Sequence, residues 1–482
     1  MLSEQLFKGE TTMDNKNLKS GYKKSIGIIA IILCAAVLSL GVYHKVPITA
    51  LLAVNIVILT VSALLSGISA NEVEEGIHDG IRKSVPAVII LMSIGTLIAE
   101  WIACGTVPMI IYYGLKIVSP KIVVPATFVL CSVVGMLTGS SWGTAGTIGV
   151  ACVAMGESMG VPAPVLAGAA ISGVLLGDKL SPLSDSTILT SATNDVYLYD
   201  HVRSMAYTTI PAFLIALILF STYSIQYGTS SADPTQIMVI LDTLETEFTF
   251  NILLLLPIVV IIILSILKLP ALFTILASAV TGLLLAVFVQ GEGLNQALSA
   301  FYNGFVSASG VETVDKILSK GGISSMMSVV ATSILALAMG GLLDKAGYLR
   351  IVVDSISQRT RTPRRTIAAT WLVGVLVVAL ISNFYVSVVL VGALFKDIYD
   401  KQKISRCVLT RTIEEANTIT LPLIPWNVSC AYYMGIFGLG GQSFAPYVYF
   451  VYANLAVAAL YVVFNIFIFK SDEKGKPIWR MR

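Results

Sequence analysis

Charge is what this sequence lacks most. Only 12% of its 482 residues are Asp, Glu, Lys or Arg, against roughly 25% in a soluble globular chain. Histidine is scarce too: His44, His78 and His201 are far apart and have no metal-ligand spacing. The six cysteines (Cys34, Cys104, Cys131, Cys152, Cys407, Cys430) contain no CxxC pair, which argues against metal or redox chemistry and for small buried thiols. No nucleophile–base arrangement is visible, so an enzyme is not expected. The net charge of +3 reflects basic loops rather than a nucleic-acid surface. A β-barrel would show period-two alternation of apolar residues, and that is absent as well.

Apolar length is what the chain has in plenty. Hydrophobic residues make up 56% and the mean hydropathy is +0.85. Runs of about 20 apolar residues are long enough to cross a bilayer as helices. The sequence therefore reads as an all-α polytopic membrane protein, spanning the cell membrane several times.

Taken in order, residues 1–24 are polar and lysine-rich, too long and too polar for a signal-peptide n-region; they read as a cytoplasmic tail. Spans follow at 26–42 and 46–65, then a polar, acidic surface helix at 71–82. A span at 85–103 carries Glu100, an acid that either lies in the membrane or reaches water near a helix end. A short segment at 106–118 precedes a run at 122–138 that ends in Gly139-Ser140-Ser141-Trp142-Gly143-Thr144. An apolar run at 161–176 leads to Gly177-Asp178-Lys179-Leu180-Ser181-Pro182-Leu183-Ser184-Asp185-Ser186-Thr187, and a span at 205–227 follows.

The pattern then restarts. Lys45-Val46-Pro47 is echoed by Lys268-Leu269-Pro270, Asn71 and Gly80 by Asn295 and Gly304, Gly105 by Gly347, and Pro182-Leu183 by Pro422-Leu423. The spacing lengthens once, which one insertion near Ser307 to Gly322 explains. This order divides the chain into a first transmembrane repeat (25–228), a polar linker (229–249), a second repeat (250–470) and a basic tail (471–482). Lys and Arg concentrate in cytoplasmic loops. The loop with Arg359, Arg361, Arg364 and Arg365 is matched in the first half (118–122) by a single lysine and the basic loop at 396–406 by a stretch near 157–164 without a base, so the repeats read as inverted, with both termini cytoplasmic. About 30 residues separate Arg365 from Lys396, too few for two crossings of roughly 20 each. A re-entrant hairpin with its tip at Ser382-Asn383 fits, matched by a first tip at Ser140–Thr144. Inverted repeats place their site near the midplane, at discontinuous helices.

Four stretches carry the chemistry: the two tips and two helix breaks, Asp178–Thr187 and Glu414–Asn427. Pro182 and Pro422 each remove an N–H and free a carbonyl. Carboxylate, hydroxyl and carbonyl oxygens are hard ligands for a small cation, and ionisable groups at membrane depth usually mark an ion or substrate path. Plainer readings compete: Gly/Ser/Thr at the tips for close helix packing, Asp178 and Asp185 in a salt bridge with Lys179 or Arg203, Glu414 and Glu415 as a helix N-terminal pair near Arg406 and Arg411, and Trp142 and Trp426 as packing residues.

At these residues the chain resembles the NhaC-type sodium/proton antiporters, in GSSWGTAGT (139–147), GDKLSPLSDST (177–187), IEEANT (413–418) and PLIPWNVSC (422–430). The resemblance runs from about Ile26 to Phe469. It implies inverted repeats with re-entrant hairpins and discontinuous helices, transport driven by an ion gradient, and a homodimer. Where that family commonly has an aspartate, this chain has Asn383, which cannot take up or release a proton. The family also includes sodium/malate–lactate exchangers and carriers of amino acids or sulfur compounds.

The expectation is thus a sodium/proton antiporter without a cofactor beyond the Na+ it moves. Asp178 and Asp185 would alternate between sodium and protons, with Ser140, Ser141, Thr144, Ser181, Asn383, Thr418 and Thr420 as neutral oxygen ligands. Lys179, Glu414 and Glu415 would couple the exchange, Lys179 as a competing internal cation. The alternative is sodium-coupled carriage of a small organic solute flanked by Trp142, Phe384, Tyr385, Trp426 and Asn427.

Overall fold

The computed structural model describes residues 24–227, 234–267, 269–349, 351, 362–472 and 477–479. Lys268, Arg359, Arg361 and most lysines of the two tails lie outside them. Among the described residues eight helices are long and apolar enough to cross a membrane, or up to ten if two bent pairs count as one span each. The one pair of strands among the described residues is short, Lys470–Ser471 with Pro477–Ile478. Large apolar side chains such as Ile32, Leu40, Val57, Ile218 and Phe288 stand exposed on the helices' outer faces, as a lipid-facing surface requires. The protein is an all-α, multi-pass membrane protein. All six cysteines are buried free thiols.

Two expected elements of the first half prove to be one. The polar helix and the following span form a continuous helix, Ala70–Ala103, with Pro86 inside it and a capping box at Ser69 and Glu72. No loop is needed because the apolar stripe continues through the proline. In the second half the corresponding stretch is split into Leu294–Asn303 and Ile323–Lys345. The residues between these two helices hold a short helix, Glu312–Leu318, and backbone turns at Gly304, Gly310, Gly321 and Gly322, all with positive φ.

The helices Ala70–Ala103 and Ile323–Lys345 pack closely. A Cβ on Gly80 would lie 2.2 Å from the Leu337 carbonyl oxygen, so only glycine admits this approach. The linker region is not extended: Pro234–Glu247 is helical, and Tyr112 donates to Glu245 across to helix Thr106–Ile117 (2.8 Å).

Both tips share one local design. Helix Val123–Thr138 ends on Gly139 and helix Pro363–Ile381 on Ser382, each with left-handed backbone (φ 63° and 56°). The next residue then caps the following helix: Ser140 Oγ accepts from Gly143 N (3.1 Å) and Asn383 Oδ1 from Val386 N (3.0 Å). The first tip continues into a π-helical turn, Ala145–Gly149, a feature that often accompanies functional sites. The two breaks also correspond. Helix Ala163–Leu180 stops at Ser181 and restarts as Asp185–Thr193. Helix Arg406–Asn417 stops at Thr418, passes through a 3-10 turn at Leu421–Leu423, and restarts as Val428–Phe437, capped by Asn427.

Candidate ion and substrate cavity

A cavity of about 290 Å³ lies where the tips and breaks converge. Ser140, Ser141, Trp142 and Gly143 of the first tip, Asp178, Asp185 and Ser186 of the first break, Ser382, Asn383, Phe384 and Tyr385 of the second tip, and Thr418, Leu421, Asn427 and Ser429 of the second break line it. Helix Ala70–Ala103 adds Lys83, Pro86, Ala87 and Ile90, and helix Ala271–Phe288 adds Ala271 and Ile275. Residues from both halves, more than 200 positions apart in the chain, thus face one space.

Within it Asp178 is buried and its Oδ1 has no hydrogen-bond partner. An unpaired buried carboxylate oxygen is costly unless something occupies it. Ser382 Oγ and Asn427 Nδ2, both buried, are also unpartnered. Asp185 stands exposed, accepting from its neighbour Ser186 N (2.9 Å) and from the Tyr385 hydroxyl. Asn383 Oδ1 has one lone pair engaged in its cap, leaving one for a cation. Trp142 is stacked on Tyr432 at 4.8 Å, and the Tyr432 hydroxyl donates to the Trp142 carbonyl (2.5 Å). That sandwich holds the ring at the cavity wall.

Seven residues singled out from the sequence lie elsewhere. Thr144 hydrogen-bonds Thr138 (2.9 Å), Ser181 accepts from Leu183 N (3.2 Å), and Thr420 donates to the Ala416 carbonyl (2.5 Å). Trp426 donates to the Ala379 carbonyl (2.7 Å), which makes it a packing residue.

The remaining three build a buried network behind the cavity. Glu414 accepts from Thr190 (2.7 Å) and from Thr418, so it stands directly behind a cavity-lining hydroxyl. Glu415 accepts from Thr208 (2.7 Å) and pairs with Lys179 (3.7 Å) and Arg411 (3.9 Å). Lys179 also donates to Asn454 Oδ1 (3.0 Å). The expected partners of Asp178 are therefore otherwise engaged: Lys179 pairs with Glu415, and Arg203 lies over the Trp479 ring at 4.5 Å. Glu414 and Glu415 are likewise not a helix N-terminal pair. They sit in the last turn of helix Arg406–Asn417, whose Arg406 pairs with Asp400, in the last turn of helix Phe384–Lys401, and with Asp195 in the turn after helix Asp185–Thr193.

Sequence reasoning missed Lys83, Ser186 and Ser429 as lining residues, along with the Tyr432 platform. Ser429 lay inside a motif already noted. Lys83 falls between the surface helix read at 71–82 and the span read at 85–103, and only the continuity through Pro86 brings it to the cavity.

The chain matches the model of the Na+/H+ antiporter family in two overlapping segments, residues 17–195 and 173–466. It is 36% identical to the malate-2H(+)/Na(+)-lactate antiporter of Bacillus subtilis over 90% of this chain and 93% of that one. It is 32% identical to the Na(+)/H(+) antiporter NhaC of Alkalihalophilus pseudofirmus over 93% and 96%. With the arginine/ornithine antiporter ArcD of Halobacterium salinarum the identity is 35% over 80% of each chain. A family model that covers nearly the whole chain, and relatives above 30% identity along most of their length, leave one assignment: this protein belongs to the Na+/H+ antiporter family, whose members are transporters.

Proposed function

We propose that the protein exchanges sodium for protons across the cell membrane, holding sodium at Asp178 between the two tips and the second break. The carrying observation is the unpartnered, buried Oδ1 of Asp178 in a cavity shared by both halves. Ser140, Ser141, Asn383 and Thr418 supply neutral oxygens around it, and Asp185 collects cations at the exposed side. Sodium and a proton compete for one carboxylate, which couples their movement. The Lys179–Glu415–Arg411 cluster fixes the helix bearing Asp178 against helix Arg406–Asn417. Arg364, Arg365 and Lys396 support inverted repeats with cytoplasmic termini, and a homodimer is proposed with them on the motif resemblance alone. The cycle needs no cofactor and no bond-making catalysis.

In proteoliposomes, a sodium gradient should drive a pH change, and Asp178→Asn should abolish it. Retained sodium-dependent proton flux in Asp178→Asn would remove Asp178 from the mechanism.

A second reading, coupled movement of a small organic solute, is favoured by the cavity's size. A water takes up about 30 Å³ of liquid volume, so a space of about 290 Å³ exceeds what a dehydrated ion fills. Trp142, Phe384 and Tyr385 offer aromatic surface there, and Lys83 and Asn427 offer donors for a carboxylate. A solute panel tested in proteoliposomes with and without sodium separates the readings: pH change with no solute present supports plain exchange.

A further inference from the structure

Glu100 belongs to neither the cavity nor the network behind it. It lies on the same helix as the cavity-lining Ile90, ten residues further along, about 15 Å at 1.5 Å per residue. Its side chain is 0% exposed, so it does not reach water at a helix end. Neither Oε1 nor Oε2 has a hydrogen-bond partner.

The packing partner is helix Ala271–Phe288, which also lines the cavity through Ala271 and Ile275. A Cβ on Gly282 would lie 3.1 Å from the Glu100 Cβ and 3.2 Å from its carbonyl oxygen, so the glycine lets the helix close over the acid. Trp101 next to it donates to Ser278 of the same helix (2.9 Å), locking the pair. Among the described residues, the titratable groups within electrostatic reach of Glu100 are Glu292, half-buried in the loop after helix Ala271–Phe288, and the buried Cys104. Neither is a cation.

An ionised carboxylate in this place would have no donor and no positive partner among the described residues, a poorly tolerated state for a buried charge. A carboxylic acid there is neutral and fits an apolar helix interface. We propose that Glu100 is a second proton-binding site, separate from the cation cavity, exchanging its proton with water by way of Glu292. Because both helices of its interface also wall the cavity, loss of this proton loosens the wall and sets the alkaline limit of transport. The site is independent of which residues hold sodium.

Infrared spectra of the purified protein in lipid test the binding site without any transport assay. The wild type should show a protonated-carboxyl C=O band that Glu100→Gln lacks, and Glu292→Gln should shift the pH at which it disappears. Gln is close to isosteric with the neutral acid, so the fold is kept, and Glu100→Leu provides a second neutral variant. An unchanged band in both variants would overturn the proposal. In vesicles, Glu100→Gln and Glu100→Leu should both move the alkaline limb of the exchange profile to higher pH, whereas a role in packing alone would leave the limb of Glu100→Gln in place. Superimposable profiles for wild type and Glu100→Gln would overturn the link to transport. Loss of sodium–proton exchange in the wild type with the band present would sink the sodium-site reading and leave this one standing.

Discussion

The hydroxyl of Tyr385, at the second tip, donates to the carboxylate of Asp185, at the first break. One hydrogen bond thereby ties the two halves of the chain together at the exposed side of the cavity. It also fixes where the charge of Asp185 points.

Tyr385→Phe removes that donor and little else, since Tyr385 is 52% exposed. A hydrogen bond to a charged group is worth about 1.5–3 kcal/mol, and solvent at this site reduces it. The fold should persist, while the sodium concentration for half-maximal flux changes several-fold. Flux in proteoliposomes over a sodium series checks it. An unaltered sodium dependence would show that Asp185 acts without Tyr385.

Asn383→Asp should retain the helix cap, because Asp caps a helix as well as Asn does. It also adds a titratable negative charge to the cavity. Sodium should bind more tightly, and the flux should gain a steeper pH dependence. Asn383→Ala, which loses the cap at a cost of about 1 kcal/mol, should weaken transport instead. The two variants measured side by side separate the capping role from the charge.

Lys179 and Glu415 form a buried pair, 0% and 4% exposed at the side chain. Removing one partner of such a pair costs about 3–5 kcal/mol because the other charge is left behind. Glu415→Gln should therefore lower the melting temperature markedly, because it strands both Lys179 and Arg411, and adding Lys179→Met should recover part of the loss. Thermal unfolding in detergent, run as a double-mutant cycle, reads the coupling. Additive losses would mean that Arg411 alone satisfies Glu415.

Outside the membrane, Asp195 is hydrogen-bonded by Lys396 and also pairs with Arg406 (3.1 Å). The Lys396 hydrogen bond, with the charges of Lys396 and Arg406, holds its carboxyl below the usual carboxylate range. A lowered folded value stabilises the fold above the unfolded carboxylate range, and that contribution fades as pH falls through the folded value. Asp195→Asn should thus cost melting temperature at neutral pH and progressively less in acid. The effect should be small and salt-sensitive, as for exposed pairs generally. A gap that widens toward acid pH would contradict the pairing.

Much of the architecture was legible because it is local. Gly139-Ser140 and Ser382-Asn383 announce a helix end followed by a cap. Pro182 and Pro422 announce interruptions, and the four stretches that carry oxygen in an apolar chain are the four that meet. The join between the polar helix and the next span was not legible, because a proline inside an apolar stripe signals a boundary as readily as a continued helix. Lys83 was lost for that reason alone.

The sequence by itself determined that the chain spans a membrane, where its helices break, and which oxygen-bearing stretches meet at the cavity. Those features follow from hydropathy, proline and capping, each acting over a few residues. Only the tertiary structure decided which member of each stretch faces the cavity. Asp178 and Lys179 are neighbours, yet one lines the open space and the other turns back to Glu415 and Asn454. Successive side chains on a helix point about 100° apart, so direction is set by the helices packed around them, and those come from the far half of the chain.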